Sequence, residues 1–304
     1  MPQRSWPEVA VVGAGAVGCY YGAMLARAGF AVTLIGRARH VEAIRRDGLR
    51  FLSGDLDERI AIGATTDIAA VAKAGLVLFC VKSSDTDSAA AAMAQHLKPD
   101  AIVLNMQNGV DNAERIRAHT RNTVMPMLVY TAASMPEPGT VKHTGGGSLV
   151  IGRGGEDIAA VFEAAKVPVK IADDIDSELW IKLVMNCAYN AVCALTGTPY
   201  GRMVASPEVR TTMVQAADEV MALAKAKGIR LPDDLPDATI KLAQVMPTTM
   251  SSTAQDIAKG RPTEIDHLNG YVVREGARLG VATPVNATLN ALTKLLEQSK
   301  LARS

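Results

Sequence analysis

The sequence predicts an α/β Rossmann-type dinucleotide-binding domain followed by an all-α C-terminal domain, and three observations predict it. The first is the opening of the chain: a strand-like run, Glu8-Val9-Ala10-Val11-Val12, passes directly into Gly13-Ala14-Gly15-Ala16-Val17-Gly18 and then into a helix-like run from Cys19 to Ala28. The second is an alternation of apolar β-type runs with helical segments as far as Ile171, the pattern of a parallel sheet with helical crossovers. The third is the loss of β signals after the polar break Asp173-Asp174-Ile175-Asp176. A chain of 304 residues is long enough for two cores. The expected division is therefore residues 1–173 for the Rossmann-type dinucleotide-binding domain and 174–304 for the helical domain.

In the opening motif each glycine has its own physical reason. Gly13 permits the tight turn, Gly15 lets a pyrophosphate approach the backbone, and Gly18 lets helix and strand pack closely. Ala14, Ala16 and Val17 complete the loop, and the helix that follows offers free N–H groups and the positive end of its dipole. The second strand, Ala31-Val32-Thr33-Leu34-Ile35, ends in Gly36-Arg37-Ala38-Arg39. An NAD site places a carboxylate there for the ribose 2'-hydroxyl. This chain has two guanidinium groups instead, which suit a phosphate, so NADP(H) is the expected cofactor, with Arg37 the stronger of the two.

A helix-like segment from His40 to Asp47 precedes a β-rich patch at Arg59-Ile60-Ala61-Ile62. The buried strand Leu76–Val81 ends at Lys82, and an alanine-rich helix follows to Leu97. The strand Ala101–Asn105 ends in Met106-Gln107-Asn108-Gly109. Ligands of open parallel sheets lie beyond the carboxyl ends of strands, which is where Lys82 and Asn108 fall. Val124–Tyr130 reads as a sixth strand, and Gly139–Gly152 as a hairpin turning at Gly145-Gly146-Gly147, with His143 on its solvated side. A helix (157–165) and a strand (167–171) end the alternating half.

Composition excludes several function classes. With 48% hydrophobic and 21% charged residues and a formal net charge of +1, nothing draws the whole chain to nucleic acid or an anionic membrane. Cys19, Cys80, Cys187 and Cys193 form no CxxC pair and sit in apolar stretches, which fits a reducing cytosol. The five histidines are scattered, so no metal is expected. Val9–Ala26 has the length of a membrane span or signal segment, but its glycines divide it into strand, turn and helix. No other stretch is read as approaching a spanning length, so a cytoplasmic protein with a small-molecule substrate is expected.

The helical half has patterns over 177–195, 208–227, 237–246, 264–279 and 286–298. Within the first, Lys182, Asn186 and Asn190 recur every four residues among Leu, Trp, Ile, Val and Met, forming one polar stripe on a helix. At ~1.5 Å rise per residue the stripe extends roughly 12 Å, about the length of a small substrate and its reach to a cofactor. Burying these groups costs several kcal/mol unless something polar, preferably anionic, meets them. Neighbouring backbone or solvent would satisfy them equally well.

The glycine loop, Lys82, Gln107-Asn108-Gly109, the run Lys182–Asn190, Ser251-Ser252-Thr253-Ala254-Gln255-Asp256 and Thr263–Gly270 together resemble the 2-dehydropantoate 2-reductase (ketopantoate reductase) family, in the right order over nearly the whole chain. The resemblance implies reduction of 2-dehydropantoate to (R)-pantoate by NADPH in pantothenate biosynthesis. It also implies that Lys182 is the catalytic lysine and Glu264 the catalytic-site glutamate, with Asn108, Asn186, Asn190 and Ser252 binding substrate and Lys82 contacting cofactor beside Asn108. Hydride delivery to a 2-oxo acid leaves an oxyanion on C2, so a positive donor beside the ketone makes chemical sense. By the same resemblance Glu264 either orients the ammonium or holds a substrate hydroxyl. From spacing alone, Ser252 and Glu264 read as helix caps.

The chain departs from the family pattern at His267, where an aromatic is expected, and at Ile181, where a polar residue is. A broader 2-oxo acid reductase on the same scaffold and a noncatalytic NADP(H)-binding module remain the alternatives. The sequence fixes no oligomeric state; a homodimer through the helical domain is the assembly considered.

Overall fold

The computed structural model describes residues 8–302 and divides them into two compact units, one ending at Ile175 and the other starting at Asp176. Residues 1–7 and 303–304 of the two expected domains lie outside the described residues.

The first unit is built on a sheet whose two faces follow from strict alternation. In β1 (Val9–Val12), Val9 and Val11 enter one core while Ala10 and Val12 enter the other. β6 (Leu76–Phe79) repeats this, with Leu76 and Leu78 on the first side and Val77 and Phe79 on the second. Successive side chains of a strand point to opposite faces, so a run of consecutive apolar residues specifies a sheet covered on both sides. The first core is closed by α1 (Ala16–Arg27), α2 (Ala38–Asp47) and α5 (Glu156–Ala164). The second is closed by the 3-10 segment Ile68–Lys73, α3 (Thr86–Ala94) and α4 (Asn112–Arg117).

β2 (Val32–Ile35), β5 (Gly63–Thr65), β7 (Ile102–Asn105) and β8 (Thr123–Glu137) join β1 and β6 in the parallel order β5-β2-β1-β6-β7-β8. That is the doubly wound arrangement, with the direction of winding changing between β1 and β6, the position where such sheets bind ligands.

Beyond Pro126, β8 leaves β7 and pairs antiparallel with β9 (Thr140–Gly152). β3 (Leu49–Ser53) and β10 (Val169–Ala172) both lie parallel to β9, and β4 (Leu56–Ile60) closes a hairpin on β3. Several details differ from the sequence expectation. The patch at 59–62 is the end of β4 and the link to β5. The hairpin turn lies at Pro138-Gly139, where Gly139 has φ 73°, and Gly145-Gly146-Gly147 lies inside β9. Gly147 is the extra residue of a bulge between the pairs Tyr130↔Ser148 and Thr131↔Gly146, which explains why glycines stand there. His143 is half-buried rather than solvated: its ring stacks on Tyr20 at 4.4 Å and its Nδ1 lies 3.1 Å from Ser53 Oγ. The alanine-rich helix ends at Ala94, short of Leu97.

The second unit is helical throughout its described residues. It comprises α6 (Ile175–Thr196, its first residue in the preceding unit), α7 (Tyr200–Ala205), α8 (Pro207–Ala226), α9 (Leu235–Val245), α10 (Ser252–Ala258), α11 (Asn269–Leu279) and α12 (Pro284–Leu301). The helix expected over 264–279 is broken: a 3-10 turn spans Ile265–His267, and Leu268 leaves helical geometry before α11 begins. α6 is long and apolar enough to cross a membrane by length and composition, which corrects the reading that only the N-terminal run has spanning length. Two-thirds of its apolar window is buried inside the protein, as for a core helix.

Polar groups knit this unit together. Glu219 on α8 accepts from the Val285 and Asn286 amides (2.8 and 2.9 Å), supplying the missing partners at the start of α12. The fully buried Asn286 donates to Ala216 O (3.0 Å) and Glu219 (2.7 Å), and it accepts from Asn269, which also donates to Cys187 O of α6 (3.1 Å).

Candidate active site

The two units contribute different kinds of group. In the first unit the glycine loop is shaped by what surrounds it. A Cβ on Gly13, whose φ is 108°, would stand 2.6 Å from the Cys80 carbonyl carbon, and one on Gly18 would collide with the Gly13 carbonyl oxygen. Gly15 is different: it is exposed, it precedes the first turn of α1, and nothing lies within 4 Å of the position of its Cβ. No side chain caps α1. The open space over Gly15 and the uncapped amides of α1 fit the pyrophosphate of a dinucleotide. Ala14 is buried, and Ala16 and Val17 are half-buried in the first turn.

Arg37 immediately precedes α2, with its side chain 83% exposed and 3.5 Å from Asp85. It stands just past the carboxyl end of β2, where a 2'-phosphate would meet it. Lys82 lies in the loop after β6, exposed at the start of the 3-10 turn Ser83–Asp85, and Asn108 lies half-buried in the loop after β7. Because Val12 pairs with Phe79 and Phe79 with Asn105, all three loops emerge at the same edge of the sheet.

The loops bearing Lys82 and Asn108 are tied together by buried polar residues that the sequence reading did not single out. Asn112 Nδ2 donates to Asn108 O (2.6 Å) and Ser83 Oγ (3.0 Å). Gln107 Nε2 donates to Val81 O (3.0 Å) and Thr86 Oγ1 (2.8 Å), and Thr86 donates to Asn112 Oδ1 (3.1 Å). Arg115, paired with Asp87, donates to Ser83 O and Asn112 Oδ1. Gln107 stood inside a quoted motif, but Ser83, Thr86 and Asn112 carry no sequence signal beyond being polar near strand ends.

In the second unit, Lys182, Asn186 and Asn190 fall on one face of α6, the first two half-buried and Asn190 only 3% exposed. Ser251 is the cap of α10: its Oγ accepts from Ala254 N (3.1 Å) and donates to Asn190 O (3.2 Å), while its amide reaches Cys193 Sγ (3.2 Å). The start of α10 is thereby fixed on α6 beside Asn190. Ser252, the next residue, is exposed and does not serve as the cap. Glu264 is half-buried ahead of the 3-10 turn and makes no side-chain cap bond either.

Burial pushes the Lys182 ammonium down to about 8, and the Glu264 carboxylate acts in the opposite sense. A buried lysine offset by a nearby carboxylate stays protonated at neutral pH yet gives up its proton readily. This arrangement can donate to an oxyanion and then protonate it. The histidines, cysteines and acids of the described residues form no cluster able to hold a metal.

A family model described as "Ketopantoate reductase PanE/ApbA" matches residues 9–156, and its C-terminal counterpart matches 174–297. A 2-dehydropantoate 2-reductase of Halobacterium salinarum is 34% identical over 301 residues, covering 96% of this chain and 99% of the relative. The crystal structure of a PanE/ApbA family ketopantoate reductase from Ralstonia eutropha JMP134 superposes with a TM-score of 0.92 at 49% identity, covering 96% of this chain and 99% of that one. D-mandelate dehydrogenase, solved with NADH and anilino(oxo)acetate, has the same fold at TM-score 0.87 and 24% identity over 96% of this chain and 99% of its own.

Proposed function

The chain belongs to the ketopantoate reductase PanE/ApbA family, and from that premise we propose that it reduces 2-dehydropantoate to (R)-pantoate with NADPH, with Lys182 as general acid. The observation that carries the reading is the Lys182 ammonium, lowered to about 8 by burial and offset by Glu264, on a helix face shared with Asn186 and Asn190.

Residues 1–173 hold the cofactor and residues 174–304 hold the substrate. Gly15 and the first amides of α1 would hold the pyrophosphate, Arg37 the 2'-phosphate, and Lys82 and Asn108 would contact the cofactor from the strand ends. NADPH, when bound, supplies the hydride that reduces the C2 ketone. Lys182 polarises the ketone and gives its Nζ proton to the C2 oxygen, so that a neutral hydroxyl forms and the amine is reprotonated from solvent. Asn186 and Asn190 donate to or accept from the substrate without fixing a charge. Asn108 and Ser252 serve the substrate in the same way, and Glu264 keeps the ammonium charged and oriented. The enzyme acts in the cytoplasm, and a homodimer through the helical domain is its proposed assembly.

The test is steady-state kinetics with NADPH and NADH over a panel of 2-oxo acids. Rapid NADPH consumption with 2-dehydropantoate is expected. D-mandelate dehydrogenase shares the fold, so the fold by itself does not choose among 2-oxo acids. Turnover confined to another 2-oxo acid moves the reading to a broader 2-hydroxy acid dehydrogenase. Tight NADPH binding with no turnover at all leaves a noncatalytic binding module.

A further inference from the structure

The segment that carries Glu264 is neither helix nor free loop, and two side chains of α12 hold it. Glu297 Oε2 accepts from both the amide (2.9 Å) and the hydroxyl (2.5 Å) of Thr263, the residue immediately before Glu264. Thr263 Oγ1 in turn accepts from the Ile265 amide (3.3 Å), which closes the turn around Glu264. One helical turn earlier on the same face of α12, Lys294 Nζ pairs with Asp266 Oδ2 at 2.8 Å. Glu264 is thus bracketed at positions 263 and 266 by groups three residues apart on one rigid helix, while Ile265 between them is buried in the helical core. A spacing of three on a helix puts both anchors on one side, so the clamp fixes the turn in place and in rotation.

We infer that Glu297 and Thr263, supported by Lys294 and Asp266, are positioning residues that set where the Glu264 carboxylate stands relative to Lys182. This rests on the reading of Lys182 and Glu264 as the reacting pair. Neither Glu297 nor Thr263 is assigned any contact with substrate. Their effect passes through Glu264, whose charge favours the protonated Lys182 against desolvation. Loosening the clamp lets Glu264 drift toward solvent, where its field at Lys182 is weaker, and the ammonium loses its proton at lower pH.

The experiment compares Thr263→Val and Glu297→Ala with Thr263→Ser. Thr263→Val and Glu297→Ala should lower kcat by about tenfold or more, since small displacements of supporting groups reach that size. The alkaline limb of their kcat against pH should move to lower pH, while Kd for NADPH is unchanged. Thr263→Ser, which restores the hydroxyl, should recover both the rate and the position of the limb. A loss of rate with an unmoved limb, or no rescue by Thr263→Ser, overturns the inference. NMR titration of the labelled Lys182 side chain tests the clamp without turnover: its pKa should fall in Thr263→Val, a change that alters no charge, and return in Thr263→Ser, and an unchanged value in folded Thr263→Val overturns the inference. A wild-type protein that reduces no 2-oxo acid overturns the proposed function instead, and the titration still decides the clamp.

Discussion

The two units present candidate binding groups of opposite kinds. The first offers backbone: Gly13 and Gly18 are glycines because a Cβ would strike Cys80 or Gly13 itself, and Gly15 leaves open the space proposed for a pyrophosphate. The second uses side chains: a lysine and two asparagines on one helix face, with a glutamate whose charge reaches the lysine from a separate turn. A backbone site depends on the close packing that keeps Gly13 and Gly18 free of a Cβ. A side-chain site depends on the surroundings that set each group's charge.

The largest effect that would sharpen this contrast is Lys182→Ala, which should lower kcat roughly a hundredfold to ten-thousandfold while leaving NADPH affinity intact. A loss of NADPH affinity in that variant would break the separation. With Lys182 itself, reduction should fall as pH rises through about 8, because the acid must enter the step protonated. The stability sign is opposite. The folded pKa is lowered from 10.5 to about 8, so between those values the unfolded chain binds more protons and stability rises with pH. A thermal melt across that window reads the second effect, and initial rates read the first.

Next comes Gly13→Ala. Its positive φ and the 2.6 Å approach to Cys80 should cost about 1–3 kcal/mol of stability and abolish measurable NADPH binding by calorimetry. A variant that keeps full affinity would show that the loop is less constrained than its geometry implies. Arg37→Ala should raise KM for NADPH by about tenfold and leave KM for NADH within about twofold, the exposed ion pair with Asp85 contributing little. An equal loss for both cofactors would remove the 2'-phosphate argument. The smallest effect separates two adjacent serines: Ser251→Ala should lower stability by about 1 kcal/mol with the cap gone. Ser252→Ala should leave the melting temperature unchanged and raise KM for the 2-oxo acid by a factor of a few.

Sequence legibility divides along the same line. The glycine loop, the strands around it and the parallel class of the sheet were readable because alternation and φ preferences are local properties. Lys182, Asn186 and Asn190 were readable as a stripe because helical periodicity is local too. What the residues could not reveal was any pairing across long separations. The glycines at 145–147 looked like a turn because the sequence does not state which strand Tyr130 meets, and that register is what makes Gly147 a bulge. Likewise spacing alone read Ser252 as the cap, and the structure gives that place to Ser251, whose hydroxyl also reaches Asn190 O, 61 positions away. The break at Leu268 was missed because the reading followed apolar periodicity straight through Asp266, His267, Asn269 and Gly270, residues that favour helix poorly.

The carboxylate of Glu219 at the start of α12 has a kinetic consequence. A helix that ends its own amides locally can form as soon as it is made. α12 instead borrows its first partners from a residue more than sixty positions earlier, and Asn286 extends the same bonds to α8 and α11. Its N-terminal turn therefore becomes secure only after α8 is in place, and losing that single carboxylate releases three donors at once. In hydrogen exchange the first amides of α12 and the side-chain amides of Asn269 and Asn286 should open together, as one cooperative unit rather than as a fraying end.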